Sequence, residues 1–391
     1  MDYFKSRSLV LPVQPMDVCA RGDYAAVALI DGRIALARVG ENEGEAGRMT
    51  THLWQAHDGA SCRSAIFLDD FVVSGDAQGS LRLSSIERSA GASADQGKPY
   101  GVQSEGRQVE EDEEDEEEGG DLGCGTSCIV GLGDANTFAV GYDDGKLEVY
   151  DRRALGKGAS PVPVAHFVEH TDFVSAMDLV SPGQQLVSTS GDGTLALFDL
   201  RKRKLVARSE DDADDEMLSV RVMKGGKKVV CGHQSGVLSI FSWGYWNDCS
   251  DRFPGHPESV DAMVKVDEDT LLTGSSDGLI RIVSVLPNKA LGVVGEHLAE
   301  NPIEKLCLEP TSSRTLYSIS HDNVVKVWSV GELLDEDESD DGEDAKAEEE
   351  GSDSEDADRP RPQRKKHKKG KQKGGFKGQK HAERSAFFAD L

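Results

Sequence analysis

Short segments of alternating apolar and polar residues recur along the chain, in pairs separated by a tight turn. Examples are FVVSGDAQGSLRLSS from Phe71, LVSTSGDGTLALFD from Leu186 and LLTGSSDGLIRIVS from Leu271, and similar pairs start at Ala25, Phe138, Val229 and Leu316. Alternation with period two directs every second side chain to the same face of a β-strand, so each pair predicts a β-hairpin. The turns contain Asp-Gly, Gln-Gly, Ser-Gly or Asp-Asn, which tolerate the positive φ of a tight turn.

The turns are regularly spaced, at Gly32, Gly79, Gly145, Gly193, Gly236, Gly278 and Asn323. Five of the six intervals are 42–48 residues, and the interval from Gly79 to Gly145 is 66 residues. A period of about 40–45 residues built of hairpins is typical of β-propeller blades. The spacing therefore predicts an all-β, seven-bladed propeller over residues 1–330, with a disordered acidic insert at about 89–120 in the long interval.

Several residues around these hairpins resemble the WD40 repeat, which has a His before the hairpin, a Ser or Thr in its first strand, an Asp in the turn and a Trp in the next strand. The matching residues are His170, Ser190, Asp192 and Phe198 in blade four, His256, Ser275 and Asp277 in blade six, and His297, Ser320, Asp322 and Trp328 in blade seven. Blade two retains His57 but has Gln78 and Ser84 at the Asp and Trp positions. The resemblance implies that these side chains form a structural hydrogen-bond network within each blade.

The two ends of the propeller are expected to join. After Trp328 the chain becomes acidic and supplies no further strand, whereas the apolar run Ser8–Leu11 has no local partner. We expect this N-terminal run to complete blade seven, which would remove an exposed sheet edge.

The net charge of −27 is unevenly distributed. Residues 110–118 are all acidic, 335–358 contain 15 acids and one Lys, and 359–380 contain 11 bases and no acid. We therefore expect a disordered acidic linker at 331–358 and a basic tail at 359–391 that ends in the apolar tip Ala386–Leu391. Ser352, with an acid three residues later, is a candidate phosphorylation site.

The basic block is typical of a nuclear or nucleolar address, of an RNA contact, or of both; a solubilising tail is the alternative. Its candidate residues are Arg364, Lys365, Lys366, Lys368, Lys369, Lys371 and Lys373. Phe376 is its one aromatic residue, so RNA contact would be weak, non-specific and salt-dependent.

The order of propeller, acidic segment, Lys-rich stretch and terminal SAFFADL is similar to that of the family of WD repeat-containing protein 55 and its fungal relatives. This resemblance implies a non-enzymatic nucleolar scaffold acting in rRNA production and ribosome biogenesis. It implies protein partners in pre-ribosomal or nucleolar complexes, and we expect a monomer within a larger complex.

Two other functions remain open. Tyr150-Asp151-Arg152-Arg153 and Phe198-Asp199-Leu200-Arg201 resemble the W-D-x-R box with which some WD40 proteins dock on a cullin ubiquitin ligase adaptor. Arg153 and Arg201 would make the docking contacts, or they are ordinary solvated arginines. The acidic runs alternatively suggest a binder of histones or other basic proteins.

Signals for catalysis, cofactors and metals are weak. Gly274–Gly278 matches the G-x-S-x-G pattern, but that motif requires a strand-to-helix turn, and strands flank it here. The seven cysteines include no C-x-x-C pair, which favours buried or half-buried thiols in a reducing compartment, Cys124 and Cys128 included. We expect no enzyme, no cofactor, no metal, no secretory signal and no membrane span. Four aromatic residues could contact partners or pack between blades five and six: Phe173, Trp243, Tyr245 and Trp246.

Overall fold

The computed structural model describes residues 4–39, 50–86, 105–106, 124–155, 162–180, 184–210, 215–298 and 301–331. Of the predicted insert at 89–120 only Glu105–Gly106 is described, and of the predicted acidic linker only Gly331; the basic tail lies outside the described residues. The chain divides into the units Met1–Asp341 and Gly342–Leu391, and all described residues belong to the first.

Seven four-stranded antiparallel sheets form the blades of the propeller. Blade one contains β2 (Pro15–Arg21), β3 (Tyr24–Leu29), β4 (Arg33–Arg38) and β5 (Thr50–Gln55); blade two contains β6 (Cys62–Leu68), β7 (Phe71–Asp76), β8 (Leu81–Ser85) and β9 (Glu105–Gly106). Blade three contains β10 (Thr126–Gly131), β11 (Thr137–Tyr142), β12 (Lys146–Asp151) and β13 (Ala165–Val168). Blade four contains β14 (Val174–Val180), β15 (Gln185–Ser190), β16 (Leu195–Asp199) and β17 (Lys204–Arg208).

Blade five contains β18 (Met217–Met223), β19 (Lys228–His233), β20 (Val237–Ser242) and β21 (Asp251–Pro254). Blade six contains β22 (Val260–Lys265), β23 (Thr270–Ser275), β24 (Leu279–Ser284) and β25 (Lys289–Glu296). Blade seven contains β26 (Ile303–Leu308), β27 (Thr315–Ser320), β28 (Val324–Ser329) and the N-terminal strand β1 (Ser6–Val10). The predicted all-β, seven-bladed propeller is confirmed.

The blades pack through their apolar faces, because alternate residues of each strand point toward a neighbouring blade. One such core joins Val187 and Leu197 of blade four to Val220 and Val229 of blade five. The 3₁₀ turn Arg152–Ala154 is the one helical segment in the described ranges, where no helix has the length and apolar character needed to cross a membrane.

The predicted closure of the ring is confirmed. Strand β1 pairs antiparallel with β28, and Leu9 lies opposite Val325. Leu11 is buried against residues of blades one and seven. The N-terminal segment therefore supplies the fourth strand of the last blade and covers its edge.

Each blade presents two kinds of connection. The turn between the second and third strands abuts the segment that enters the next blade, and a Cβ at Gly145 would lie 2.5 Å from the carbonyl oxygen of His170. This contact and a φ of +81° explain why glycine is required there. We call the face with these turns the hairpin face. The face with the connections between first and second and between third and fourth strands is the basal face.

Candidate interaction surface

Blade seven contains a complete network of His, Asp, hydroxyl and Trp, in which Ser318 rather than the predicted Ser320 supplies the hydroxyl. His297 Nδ1 lies 2.8 Å from Asp322 Oδ2, and its Nε2 lies 2.7 Å from Ser318 Oγ. Trp328 Nε1–H donates to the same Ser318 oxygen at 2.8 Å. The four side chains are buried, so their mutual hydrogen bonds replace water and join β27, β28 and the turn between them to the connection that enters blade seven.

The predicted hydroxyl positions are wrong by two residues. The histidine of blades four, six and seven contacts Ser188, Thr273 and Ser318, not Ser190, Ser275 and Ser320. Both positions point to the same face of their strand, so alternation could not separate them. The residue nearer the turn, such as Ser190, instead donates to the carbonyl oxygen of Asp172. The correct hydroxyl is five residues before the turn Gly or Asn, a spacing that the sequence does contain.

Blade four retains part of this arrangement. Asp192 accepts from Thr194 Oγ1 at 2.6 Å and pairs with Arg208 Nη2 at 3.0 Å, and His170 Nδ1 lies 3.4 Å from it. Phe198 stands at the Trp position and cannot donate a hydrogen bond. It is fully buried and packs against Phe167, with ring centroids 4.6 Å apart.

Blade six has lost the contact between His and Asp. Arg281 donates two hydrogen bonds to Asp277, at 3.0 and 2.5 Å. His256 Nδ1 is buried with no hydrogen-bond partner among the described residues. Burial and the nearby Arg281 charge lower the pKa of His256 to about 4, so this imidazole is neutral at physiological pH.

Blades two and five build substitute networks that the sequence pattern did not reveal. His57 contacts Asp76 at 2.9 Å and Ser74 at 2.8 Å, so the carboxylate comes from the end of the strand rather than from the turn, where Gln78 stands. In blade five, His233 contacts Ser239 at 2.7 Å and Asp215 at 3.2 Å. Because these networks are internal to the blades, partner recognition is left to the faces and edges.

The two candidate docking arginines lie on the basal face, each just after the third strand of its blade. Arg153 pairs with Asp151, with Nη2 2.5 Å from Oδ2, and its side chain is 67% exposed. Arg201 is exposed and donates to Gln184 Oε1 at 3.1 Å, while Asp199 pairs with Lys202 instead. The structure thus places both guanidinium groups on one face of adjacent blades.

Two of the three aromatic side chains in the run 243–246 of blade five pack in the protein interior. Trp246 is buried and Trp243 half-buried, and their rings meet edge-to-face with centroids 4.8 Å apart. They pack against blade four rather than blade six, which corrects the predicted location. Phe173 packs beside Gly191, whereas Tyr245 is 77% exposed.

The central channel contains a cavity of about 650 Å³ lined by the first strands of all seven blades. Its charged groups join neighbouring blades: Asp17 accepts from Ser64 Oγ at 2.7 Å, and Asp178 accepts from Val222 N–H at 2.7 Å. Burial raises the pKa of Asp178, although Arg221 opposes this. These contacts stabilise the inner ring of the propeller.

The remaining candidates for chemistry are structural. Gly274–Gly278 spans the end of β23 and the turn to β24, as the strand pattern predicted. All seven cysteines, which lie in described ranges, are free thiols, and burial raises the pKa of Cys128 to about 11. In the described ranges no three His, Cys, Asp or Glu side chains come together as metal ligands would. Ser352 and the tail residues from Arg364 to Lys373 lie outside the described residues.

Comparison with known proteins agrees with this architecture. The family profile described as WDR55 matches residues 124–333. The Arabidopsis thaliana WD repeat-containing protein 55 is 34% identical over 316 residues, which cover 80% of this chain and 79% of that protein. The chain belongs to the WDR55 family.

Other relatives match over a shorter range. The human WD repeat-containing protein 55 is 39% identical over 202 residues, covering 52% of this chain and 50% of the human protein. The Cryptococcus neoformans WD repeat-containing protein JIP5 is 38% identical over 203 residues, covering 51% of this chain and 52% of that protein. Membership of the WDR55 family and the closed propeller support a WD40 scaffold that engages other proteins.

Proposed function

We propose that this protein is a non-enzymatic nucleolar scaffold of ribosome biogenesis. Its propeller binds protein partners within pre-ribosomal complexes, and its Lys-rich tail serves as nucleolar address or RNA contact. The observation that carries the proposal is the combination, in one WDR55 family chain, of a closed propeller with a block of 11 bases and no acid at residues 359–380. Such a block binds RNA backbones and is read as a nuclear or nucleolar address.

The architecture supports a binding role for the propeller. The polar networks and the channel contacts are used internally, so the exposed connections on the two faces are free to vary and to recognise partners. A rigid ring that presents many loops suits a scaffold that holds several proteins in a fixed arrangement.

Affinity purification of the tagged full-length chain tests the proposal. We expect pre-ribosomal proteins to be recovered with the wild type and with an Arg153→Ala/Arg201→Ala variant. Predominant recovery of histones would instead support the binder of basic proteins, and it would contradict the proposal.

The role of the tail has a separate test. Deleting residues 359–391 should disperse a fluorescent fusion from the nucleolus, and changing Lys5, Arg38 and Lys289 to Gln on the propeller should not. A nucleolar signal that is unchanged by the deletion would refute the tail as address.

A second candidate is a substrate receptor of a cullin-type ubiquitin ligase. The observation that favours it is the common location of Arg153 and Arg201 on the basal face of adjacent blades. Loss of a ligase adaptor from the double-Ala variant, with pre-ribosomal proteins absent from both samples, would favour this function over the first.

A further inference from the structure

The basal face of blades four and five has a concentration of positive charge that the docking-box hypothesis does not explain. The connection from β16 to β17 contains Arg201, Lys202 and Arg203, Lys204 begins β17, and all four residues are exposed. The connection from β18 to β19 in blade five adds the exposed Lys227. We call these five residues the basic rim. They form a local reversal of sign in a chain whose net charge is −27.

Most of the basic rim is not neutralised by carboxylates. Lys202 pairs with Asp199 at 3.3 Å, and Arg201 contacts only the amide of Gln184. Within the described ranges, no carboxylate pairs with Arg203, Lys204 or Lys227.

Two exposed acids follow Tyr245, Asp248 in the same connection and Asp251 at the start of β21, and neither pairs with a cation of the basic rim in the described residues. Asp251 accepts from Asn288 Nδ2 at 2.6 Å, and Asp248 accepts from the N–H of its neighbour Cys249 at 2.7 Å. The adjacent Lys224, by contrast, pairs with Asp269 of blade six. The positive charge is therefore limited to blade four and the nearest turn of blade five.

An exposed aromatic ring adjoins this charge. Tyr245 is 77% exposed and forms a backbone bridge with Ser242, the residue paired with Lys228 at the basal end of the strand. Trp243 N–H donates to the carbonyl oxygen of Lys227 at 2.9 Å, so the loop that carries Tyr245 is tied to the turn that carries Lys227. The same loop is fixed to blade four by the Trp243–Trp246 pair.

We propose that the basic rim and Tyr245 form a binding site for single-stranded RNA on the propeller itself. Cations bind successive phosphates, and an exposed aromatic side chain stacks on a base without sequence preference. RNA is favoured over an acidic protein segment because Tyr245 offers a solvent-exposed ring for base stacking on a loop whose backbone is hydrogen-bonded to the turn of Lys227. This site goes beyond the proposed function, in which only the tail contacts RNA.

Fluorescence anisotropy with a labelled oligouridylate and purified full-length protein tests the site. The tail would otherwise mask the result, so all measurements use a chain whose bases from Arg364 to Lys373 are changed to Gln. In that background, Arg203→Gln/Lys204→Gln/Lys227→Gln should weaken binding by at least about tenfold at moderate salt. The slope of log K against log[KCl] should fall by about 2, since each lost phosphate contact on a single strand contributes about 0.7.

A matched variant controls for net charge. Lys5→Gln/Arg38→Gln/Lys289→Gln also removes one Arg and two Lys from exposed positions, but on other blades. It should leave the affinity within about twofold of the background chain. Salt screens exposed charges that lie more than about 10 Å from the bound RNA, so cations on other blades contribute little. Equal losses in the two triple variants would overturn the proposal, as would absence of RNA binding by the background chain.

Tyr245→Ser separates stacking from charge. It should weaken oligouridylate binding by about fivefold or more without changing the salt slope, as expected for a stacked base. A polyglutamate competitor provides the other discriminating outcome. If the basic rim variant loses binding of polyglutamate but not of oligouridylate, the site recognises acidic protein and the RNA proposal is wrong. The outcome does not depend on nucleolar location or pre-ribosomal partners, so the two proposals can fail separately.

Discussion

Blades six and seven have the same fold but use the same positions differently. In blade seven, His297 contacts both Asp322 and Ser318, and Trp328 adds a third hydrogen bond. In blade six, Val283 replaces the Trp, and the carboxylate of Asp277 is held by Arg281. His256 consequently retains one contact, with Thr273 at 2.8 Å, and one buried nitrogen without a partner.

The difference depends on one side chain three residues after each turn. Arg281 of blade six points to Asp277, whereas Lys326 of blade seven donates to the carbonyl oxygen of Glu296 and leaves Asp322 to the histidine. A guanidinium binds a carboxylate with two parallel hydrogen bonds, so it displaces the imidazole more readily than an ammonium would. The blade fold therefore survives loss of its network, because interblade apolar packing carries most of the stability.

Removing the strand that closes blade seven is expected to have the largest effect on the free energy of unfolding. Deleting residues 1–14 removes β1 and the buried Leu11, and exposes the edge of β28, so the free energy of unfolding should fall by at least about 4 kcal/mol. Urea denaturation would measure it. Leu11→Ala should reproduce about 2 kcal/mol or more of the loss, while Val10→Ala, at a position 75% exposed, should change little. An unchanged melting temperature after the deletion would contradict the closure.

Breaking the hydrogen-bond network of blade seven should have the second largest effect on stability. Ser318→Ala leaves His297 Nε2 and Trp328 Nε1 buried without their partner and should destabilise the protein by about 3 kcal/mol. Ser320→Ala is the matched control, since its buried hydroxyl has no partner in the described structure and its loss should be nearly neutral. If the two substitutions destabilise the protein equally, Ser318 is not the hydroxyl on which the network depends, and this assignment would be wrong.

Lowering the pH should destabilise the folded protein through His256 of blade six. Its pKa is lowered from about 6.5 when unfolded to about 4 when folded, so below pH 6.5 the unfolded chain binds a proton that the folded chain does not. Stability is therefore complete above pH 6.5 and falls as the pH drops toward 4, by about 2 kcal/mol between pH 7 and pH 5. Urea titrations of wild type and His256→Gln at both pH values should show a smaller decrease in the variant; identical decreases would exclude His256 as the source.

The smallest effect should come from converting blade six toward blade seven. Burial is the main cause of the lowered pKa of His256 and the charge of Arg281 adds to it, so Arg281→Gln, which also frees Asp277, should raise the histidine pKa. The net change in stability should stay below about 1 kcal/mol, because a partly exposed ion pair is replaced by a contact with the imidazole. NMR titration of the His256 ring would measure the pKa, and a value that does not rise would contradict the assigned role of Arg281.

Much of the architecture could be predicted from local patterns. Period-two alternation, turn residues and a repeat of about 45 residues are properties of neighbouring residues, and the chain fold follows from them. The unpaired run at Ser8–Leu11 predicted the closing strand, because a sheet edge and a free strand satisfy each other's backbone groups. The charge runs were equally visible, although those beyond Gly331 lie outside the described structure.

Other features depended on distances that no local pattern contains. Ser188 and Ser190 share a strand face, and only the position of His170 in the preceding connection decides which hydroxyl it meets. No local pattern indicates that Arg281 binds Asp277 and so takes the carboxylate from His256. The sequence marked only Phe198–Arg201 as a docking box, and the link of the cations Arg201–Lys204 with Lys227 and Tyr245 required two blades to be packed side by side.

The sequence by itself thus determined the repeat, the number of blades and the ring closure, because hydrophobic periodicity and turn chemistry act over a few residues. Tertiary structure alone decided which hydroxyl completes each network, which carboxylate is taken by an arginine, and which cations share a face. These outcomes depend on side chains that are distant in sequence but close in space. Each polar group has several possible partners, and the distances and angles of the hydrogen bonds decide which one it contacts.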